Sequence, residues 1–380
     1  MPSTDTKSYE YQERKKCIEK MDKILGPLPE YVSRYLYSKL NGPSRMQPRT
    51  ALAYAGDLSL FFYYLSIKSP VCKNIPIKEI PAETLGLFTN DDMEEYYEWL
   101  ACYERNENVY TNGPSAQKRK ISSVSALYKY LMKKHYLDIN PCDLMDLDRL
   151  REQPIIAMSD NQQAKFLDAV GVASVNKITK QVSKRSEKIK DQYTSIRDLA
   201  IAYVFLGTGI RVSELVAINL EDLNLTDNYF IITRKGGKHQ QIYFGEEVAE
   251  VLNLYLSESR TKLLPEQDSF DYSALFLSLH HKRISVRQVE NIVKDAAYMA
   301  LPESEAKKIS CHKLRSTYGT RLLKGSNSIA LVAEVLGHKD ISTTKRRYSA
   351  VQNLDQAPNY VSVLPQINDN VKNKKISPKL

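Results

Sequence analysis

The chain has 380 residues, a hydrophobic content of 42% and a formal net charge of +9, with a pI of about 9.0. The length predicts two or three domains, and the apolar content is enough to build proper cores, so a chain without a folded core is excluded. The positive charge favours a polyanionic partner, most often nucleic acid, although a basic surface without such a partner would have the same charge.

The cysteines argue against a disulfide framework and against a zinc site, because they are odd in number, scattered and never spaced C-x-x-C. They are Cys17, Cys72, Cys102, Cys142 and Cys311. The polar N-terminus has no signal-peptide core, and no apolar run approaches the length of a membrane span. We therefore expect a cytoplasmic protein that contacts no membrane and holds no metal ion.

Residues 1–152 are predicted to form a helical domain, and residues 153–380 a second domain. Apolar positions recur at helical spacing over 29–40, 48–67, 89–103 and 115–135, with no strand signal between them. Thr89 or Asn90 can cap the third of these helices. Asn140-Pro141 ends the pattern, and the charged run up to Pro154 is typical of a linker.

Two helices of the first domain begin with basic or hydroxyl side chains. Arg49 and Thr50 lie in the first turn of one, and Lys118, Arg119 and Lys120 follow the start of another. Helix N-termini with basic side chains bind phosphate well, so these residues are predicted to contact DNA. A solvated charged face is the alternative interpretation.

The second domain is predicted to be mainly α with a small antiparallel β-sheet, which makes the whole chain an α+β protein. Helices are expected from 159, over 197–207, over 246–263 and from 285, with strands at 228–234, 239–244 and 274–277. The glycine turn of 235–238 joins the first two strands as a hairpin. The basic segment 174–193 is expected to be an exposed loop or a lengthened helix end, and an insertion rather than a DNA contact.

Arg211 follows the glycine turn 207–209 and precedes a new helix. An arginine fixed in such a turn can present a rigid fork to a phosphate. Its ordinary explanation is an internal salt bridge, for example to Glu214. We expect Glu214 to cap this turn or to orient Arg211.

Six residues suited to phosphodiester chemistry occur in order along this domain: Arg211, Lys235, His312, Arg315, His338 and Tyr348. Each alone has an ordinary structural explanation, and Tyr348 is one of 25 tyrosines. The motifs that carry them are Thr208-Gly-Ile-Arg211-Val-Ser-Glu214-Leu, Arg234-Lys235-Gly-Gly-Lys238, His312-Lys-Leu-Arg315 and Leu336-Gly-His338. Together they resemble the tyrosine recombinase (phage integrase-type) family, most of all Xer recombinases of the single-protein XerS kind, over essentially the whole chain.

The resemblance implies a DNA-cutting site that needs no metal ion and no ATP. Tyr348 would attack a phosphodiester and form a 3′-phosphotyrosine, which conserves the bond energy for rejoining. Arg211 and Arg315 would hold the phosphate oxygens as charge develops, and His338 would orient the phosphate.

Proton transfer would fall to two further residues. His312 would accept the phenolic proton, and Lys235 would protonate the leaving 5′ oxygen. Lys238 in the same hairpin remains an alternative acid, although the distance of Lys235 from Arg211 matches the family. Lys238 is otherwise expected to contact DNA.

One spacing departs from the family, because His338 and Tyr348 are one residue farther apart than is usual. In a continuous helix one extra residue rotates a side chain by about 100°. We therefore expect a turn or loop that absorbs it, or an unusual placement of the nucleophile. The segment 353–364 would dock on a neighbouring protomer.

The resemblance further implies a C-shaped clamp on duplex DNA, an inverted-repeat site, a homotetrameric synapse and exchange through a Holliday junction, for chromosome dimer resolution. An integrase or excisionase of a mobile element would share every catalytic residue. A type IB topoisomerase would use similar chemistry without partner exchange. A DNA-binding protein with impaired catalysis is the alternative that the long spacing before Tyr348 favours.

Overall fold

The computed structural model describes residues 9–42, 46–147, 157–178, 184–234, 237–265, 269, 271–337, 342, 344–345 and 348, with the backbone alone over 171–178 and 184–193. The chain divides into two compact units, Met1–Arg151 and Glu152–Leu380, called here the N-terminal unit and the C-terminal unit. Both units are mainly helical, and each described part contains a small antiparallel sheet, which confirms the predicted fold class.

Amphipathic helices build the N-terminal unit around one aromatic-rich core. They are α1 Tyr9–Leu25, α2 Glu30–Asn41, α3 Pro48–Lys68, α4 Asn90–Ala101 and α5 Pro114–Lys133, with short 3₁₀ turns at Ile77–Glu79, Glu83–Leu87 and Pro141–Leu144. Thr89 caps α4, since its hydroxyl accepts from the Asp92 amide while the Asp92 carboxylate accepts from the Thr89 amide. Such a cap contributes about 1 kcal/mol to helix stability.

The N-terminal unit also contains a β-hairpin, so the expectation of a unit without strands was wrong. The third predicted helix ends at Ala101, and the chain continues as β1 Cys102–Arg105 and β2 Asn108–Thr111. The two turn residues, Asn106 and Glu107, have positive φ, as the tightest hairpin turns require. Glutamate rarely adopts this conformation, so Asn106-Glu107 is a weak turn signal.

Helices also dominate the C-terminal unit. They are α6 Asp160–Ile178, α7 Lys184–Thr208, α8 Val212–Ala217, α9 Glu246–Leu254, α10 Val286–Ala300, α11 Glu303–Ala306, α12 Cys311–Ser326 and α13 Ile329–Leu336. A π turn at Tyr255–Ser259 and a 3₁₀ turn at Arg260–Lys262 continue α9. In its described parts, the basic segment 174–193 is lengthened helix ends rather than a loop, because α7 begins thirteen residues before 197.

A small sheet lies beside these helices in the order β3 Leu223–Asn224, β4 Tyr229–Arg234 and β5 Lys238–Tyr243. The hairpin of β4 and β5 was predicted, whereas β3 is too short to give a pattern. Residues 274–277 form isolated bridges, Asn219 to Ala274 and Leu277 to Arg283, instead of the predicted strand. Among the described residues, no helix is both long and apolar enough to cross a membrane.

Candidate active site

The C-terminal end of α13 is where the predicted site residues converge. The helix ends at Gly337 in the left-handed conformation, with φ +62°. Three consecutive carbonyls at this end each accept from a different guanidinium: Val335 from Arg234 Nη2 at 2.7 Å, Leu336 from Arg315 Nη2, and Gly337 from Arg211 Nη2 at 3.4 Å. These guanidiniums satisfy carbonyls that a helix end leaves without partners, and their charge opposes the negative end of the helix dipole.

Arg315 is the most deeply buried of the three, with 3% of its surface exposed. It projects from α12, and its Nη1 donates to the Gly209 carbonyl at 2.6 Å in the glycine turn that precedes Arg211. Burial first, and then the neighbouring charge of Arg211, lower the pKa of Arg315 to about 10. An anion that approaches stabilises the charge of a buried guanidinium that has another positive charge nearby.

Arg211 lies between the glycine turn and α8, where Glu214 holds it. The Glu214 carboxylate accepts from the Arg211 amide and from Arg211 Nη1, each at 2.7 Å, so Glu214 both caps α8 and orients the guanidinium, as expected from the sequence. The Arg211 side chain is still 39% exposed. It can therefore reach a phosphate without breaking its ion pair.

Arg234, the last residue of β4, is a site residue that the sequence interpretation missed. Its Nη1 donates to both oxygens of Glu214, at 3.0 and 2.9 Å, and its Nε to Gln240 Oε1 on β5 at 2.8 Å. Burial alone would raise the pKa of Glu214, but the charge of Arg234 and the hydrogen bonds from Arg211 together lower it. Glu214 is thus an ionised carboxylate shared by two arginines.

A signal for Arg234 was present in the pattern of β4. Alternate residues of this strand are buried, namely Phe230, Ile232 and Arg234. A charge at a position where alternation predicts an apolar side chain indicates a buried ion pair.

Tyr348 is buried against α12 and α13, with 1% of its surface exposed. It packs in a cluster with Leu323, Val332 and Leu336. Its phenol faces Gly319, where a Cβ would lie 2.9 Å from the Tyr348 Cζ. Gly319 is one helical turn from Arg315. The side chains of Tyr348 and Arg315 are close enough for Tyr348 to affect the pKa of Arg315.

The remaining predicted catalytic residues are placed less fully. His312 is exposed in the first turn of α12, three residues before Arg315. Lys238 begins β5, is exposed, and pairs with Arg234 in the register of the hairpin. Lys235, His338 and the segment 353–364 lie outside the described residues. The described residues between His338 and Tyr348 are helical, and where the extra residue is absorbed also lies outside them.

Two of the predicted DNA contacts of the N-terminal unit, Arg119 and Lys120, bind one buried carboxylate. Asp57 of α3, 2% exposed, accepts from both Nη atoms of Arg119, from Lys120 Nζ at 3.3 Å and from the Ser123 hydroxyl at 2.9 Å. The sequence interpretation missed Asp57, although a carboxylate within the apolar stripe of α3 is a signal of the same kind as Arg234.

The other predicted contacts lie near the starts of α3 and α5. Arg49 donates to Glu13 at 2.7 Å, and Thr50 is exposed beside it. Lys118 Nζ lies 3.5 Å from the Leu147 carbonyl. Within the described ranges no group of three or more His, Cys, Asp or Glu side chains could hold a metal ion.

Family and sequence comparisons agree with the motifs. A model of the phage integrase family matches residues 175–354. Tyrosine recombinase XerC of Caldanaerobacter subterraneus subsp. tengcongensis is 32% identical over 303 residues, which are 78% of this chain and 77% of that protein. Tyrosine recombinase XerS of Streptococcus gordonii is 29% identical over 355 residues, covering 87% of this chain and 94% of that protein.

Solved structures show the same fold at low sequence identity. The Tn1549 transposon integrase in complex with a circular intermediate DNA matches with a TM-score of 0.58 and 15% identity, covering 86% of this chain and 98% of that one. The XerH site-specific recombinase, bound to palindromic difH substrate in a post-cleavage complex, matches with a TM-score of 0.57 and 15% identity, covering 87% and 95%.

Proposed function

This chain belongs to the tyrosine recombinase family and is a site-specific DNA recombinase, and we propose that Tyr348 is the residue with which it cuts duplex DNA. The observation that carries the assignment is the position of Tyr348, which packs one helical turn from Arg315. Tyr318 also lies one helical turn from Arg315, so the order of the motifs, in which Tyr348 follows His338, supports the choice of Tyr348 over Tyr318.

In the proposed reaction the Tyr348 oxygen attacks a phosphodiester. An O–P bond to the 3′ phosphate forms, and the bond from phosphorus to the 5′ oxygen breaks. Arg211 and Arg315 bind the non-bridging oxygens, because two fixed guanidiniums stabilise the charge that develops there. Each guanidinium loses a carbonyl partner or shares it when the phosphate binds.

Two protons move in this step. His312 accepts the phenolic proton, and Lys235 gives a proton to the leaving 5′ oxygen, with Lys238 as the alternative acid. His338 donates a hydrogen bond to the phosphate. The reverse sequence of transfers rejoins the strand, so no metal ion or ATP enters the proposal.

Tyr348 has to leave its present position for this chemistry, because 1% exposure leaves no room for a DNA strand beside the phenol. The cluster that holds it is small and consists of α12 and α13 side chains. We place the release of Tyr348 after DNA binding, when the phosphate has taken over the guanidiniums that cap α13.

For the larger assembly, we propose an inverted-repeat site contacted by both units as a clamp. Four protomers would form the synapse, with 353–364 docking on a neighbour. Chromosome dimer resolution in the cytoplasm is the proposed role, supported by relatives named XerC and XerS over most of the chain. If the gene lies within a mobile element, integration or excision replaces that role.

A nicked suicide substrate that carries the recombination site tests the chemistry. In EDTA, the wild-type protein should form a covalent complex that resists SDS, and Tyr348→Phe should bind the DNA without forming it. An adduct with Tyr348→Phe would assign the nucleophile to another residue. If the wild-type protein forms no adduct, the proposed activity is contradicted. The chain would then be a DNA-binding protein with impaired catalysis.

The acid is assigned with a substrate whose 5′-bridging oxygen is replaced by sulfur, since a thiolate leaves without a proton. Lys235→Ala should be slow on the oxygen substrate and close to wild type on the sulfur substrate. If Lys238→Ala shows this behaviour instead, Lys238 is the acid.

A further inference from the structure

Arg234 makes more hydrogen bonds than Arg211 or Arg315, the other arginines of the site. Its three nitrogens reach Gln240, Glu214 and the Val335 carbonyl, at 2.7 to 3.0 Å, and 9% of the residue is exposed. A guanidinium with every nitrogen engaged and this little exposure has no free edge for a phosphate. Its role is therefore exerted through the residues that it contacts.

The main contact of Arg234 is the carboxylate that also holds Arg211. Glu214 carries one negative charge and lies between the two guanidiniums. With Arg234 present, the group of three residues keeps a net positive charge. Without Arg234, Glu214 would pair with Arg211 alone. That pair would have no net charge to attract a phosphate.

A second contact of Arg234 supports the end of α13. The guanidinium lies against Gly337, where a Cβ would be 2.8 Å from Nε and 2.9 Å from Cζ. It donates to Val335, the carbonyl next to the one that Arg315 caps. Arg234 thus fixes the helix end to which both clamp arginines are bound.

We propose that Arg234 is a positioning residue for phosphate binding, which acts through Glu214 on Arg211 and through the end of α13 on Arg315. This inference rests on the proposed function, because it concerns the same phosphate. Arg234 touches neither DNA nor the reacting atoms. It preserves the charge and the orientation of the guanidiniums that do.

The test compares cleavage of a normal site with cleavage of a site whose scissile phosphate is a methylphosphonate, which carries no charge. Arg234→Ala should lower the cleavage rate on the phosphodiester by about 10²-fold, the scale on which a misplacement of about 1 Å slows enzymes. DNA affinity should be unchanged. On the methylphosphonate the loss should be much smaller, because a neutral phosphate depends less on the clamp.

A buried arginine elsewhere in the same unit supplies the matched control. Arg260 is 6% exposed and donates to the carbonyls of Tyr272, Ala274 and Leu275 rather than to α13. Arg260→Ala should lower the melting temperature and leave the ratio of the two cleavage rates at its wild-type value. Equal losses on the two substrates for Arg234→Ala would overturn the proposal and leave Arg234 a purely structural role.

A double-mutant cycle tests the route through Glu214. In the Glu214→Gln background the cost of Arg234→Ala should shrink, since the charge that Arg234 offsets is gone. Additive costs would overturn the proposal. If Arg234→Ala does not fold, Arg234→Lys replaces it, because lysine keeps the charge and lacks the guanidinium. The ratio of its cleavage rates on the two substrates is then compared with that of the wild type. A wild-type protein that forms no adduct on the phosphodiester contradicts the proposed function instead.

Discussion

The phenol of Tyr348, the proposed nucleophile, is in direct contact with the backbone of Gly319 in α12. A methyl group on Gly319 would lie 2.9 Å from Cζ of Tyr348, which is closer than carbon atoms pack. Gly319 lies inside a helix and has no positive φ to explain it. The glycine is therefore there to make room for the tyrosine.

Gly319→Ala should displace Tyr348 and lower the free energy of unfolding by about 1–3 kcal/mol, as overpacked cores do. Chemical denaturation measures the change. In the Tyr348→Phe background the cost should be smaller, because the hydroxyl that lies nearest is absent.

Gly325 is the control for that substitution, because it lies in the same helix and a Cβ there meets nothing within 4 Å. Gly325→Ala should stabilise the protein by up to about 1 kcal/mol through the lost entropy of the unfolded chain. Similar effects of the two alanines would show that Tyr348 does not occupy the space beside Gly319.

Gly337 is expected to tolerate no side chain, for two separable reasons. Its φ of +62° disfavours alanine by about 1 kcal/mol or more, and a Cβ would also displace the Arg234 guanidinium. Gly237 also has positive φ, at +78°, but a Cβ there meets nothing within 4 Å. Thermal unfolding should therefore show a larger loss of stability for Gly337→Ala than for Gly237→Ala, and equal losses would mean that Arg234 yields freely.

Protonation of Glu214 should lower the stability of the protein at acid pH. Its folded pKa is below the ordinary value, so its ion pairs stabilise the protein above that ordinary value and are lost as pH falls through the folded pKa. Glu214→Gln should lower the free energy of unfolding by about 3–5 kcal/mol near neutral pH, because it leaves the buried Arg234 without its carboxylate partner.

The measurement is the unfolding free energy of both proteins from pH 7 down to pH 3. The difference between them should be constant near neutral pH and should narrow below about pH 4.5, the ordinary range of a glutamate. A difference that does not depend on pH would show that Glu214 is not ionised in the folded protein.

Several parts of the site could be predicted because they depend on local sequence. The glycine stop before Arg211 and the hairpin of β4 and β5 are each set by residues within a few positions of each other. The helical stripe of α2 likewise matches its buried residues, from Val32 to Leu40.

The rest depends on contacts between residues far apart in the chain. Arg234 meets Val335 across 101 positions, and Arg119 meets Asp57 across 62. Periodicity identifies a buried face but not the partner that a buried charge will find there. The short hairpin at Asn106 was missed for a different reason, since its turn uses a glutamate in a conformation that glycine or asparagine usually adopts.

Asp57 decides how much charge Arg119 can offer to DNA. The carboxylate is buried and accepts from both Nη atoms of Arg119, whose side chain is 49% exposed. Half of the Arg119 side chain thus stays exposed, while the two bonds to Asp57 hold the guanidinium in one orientation. We expect this arrangement to present Arg119 to one phosphate, as a positioned donor rather than a mobile charge.

Arg119→Ala should therefore reduce the slope of log K against log salt concentration by about 0.9, the value for one phosphate contact on duplex DNA. It should weaken specific and non-specific sites alike, because phosphate contacts carry no sequence information. Lys129→Ala is the control on the same helix. Lys129 lies about 15 Å farther along α5 than Arg119 and pairs with Asp143, so its substitution should leave the slope unchanged. If Arg119→Ala has the wild-type slope, its charge is neutralised by Asp57, and its predicted contact with DNA is wrong.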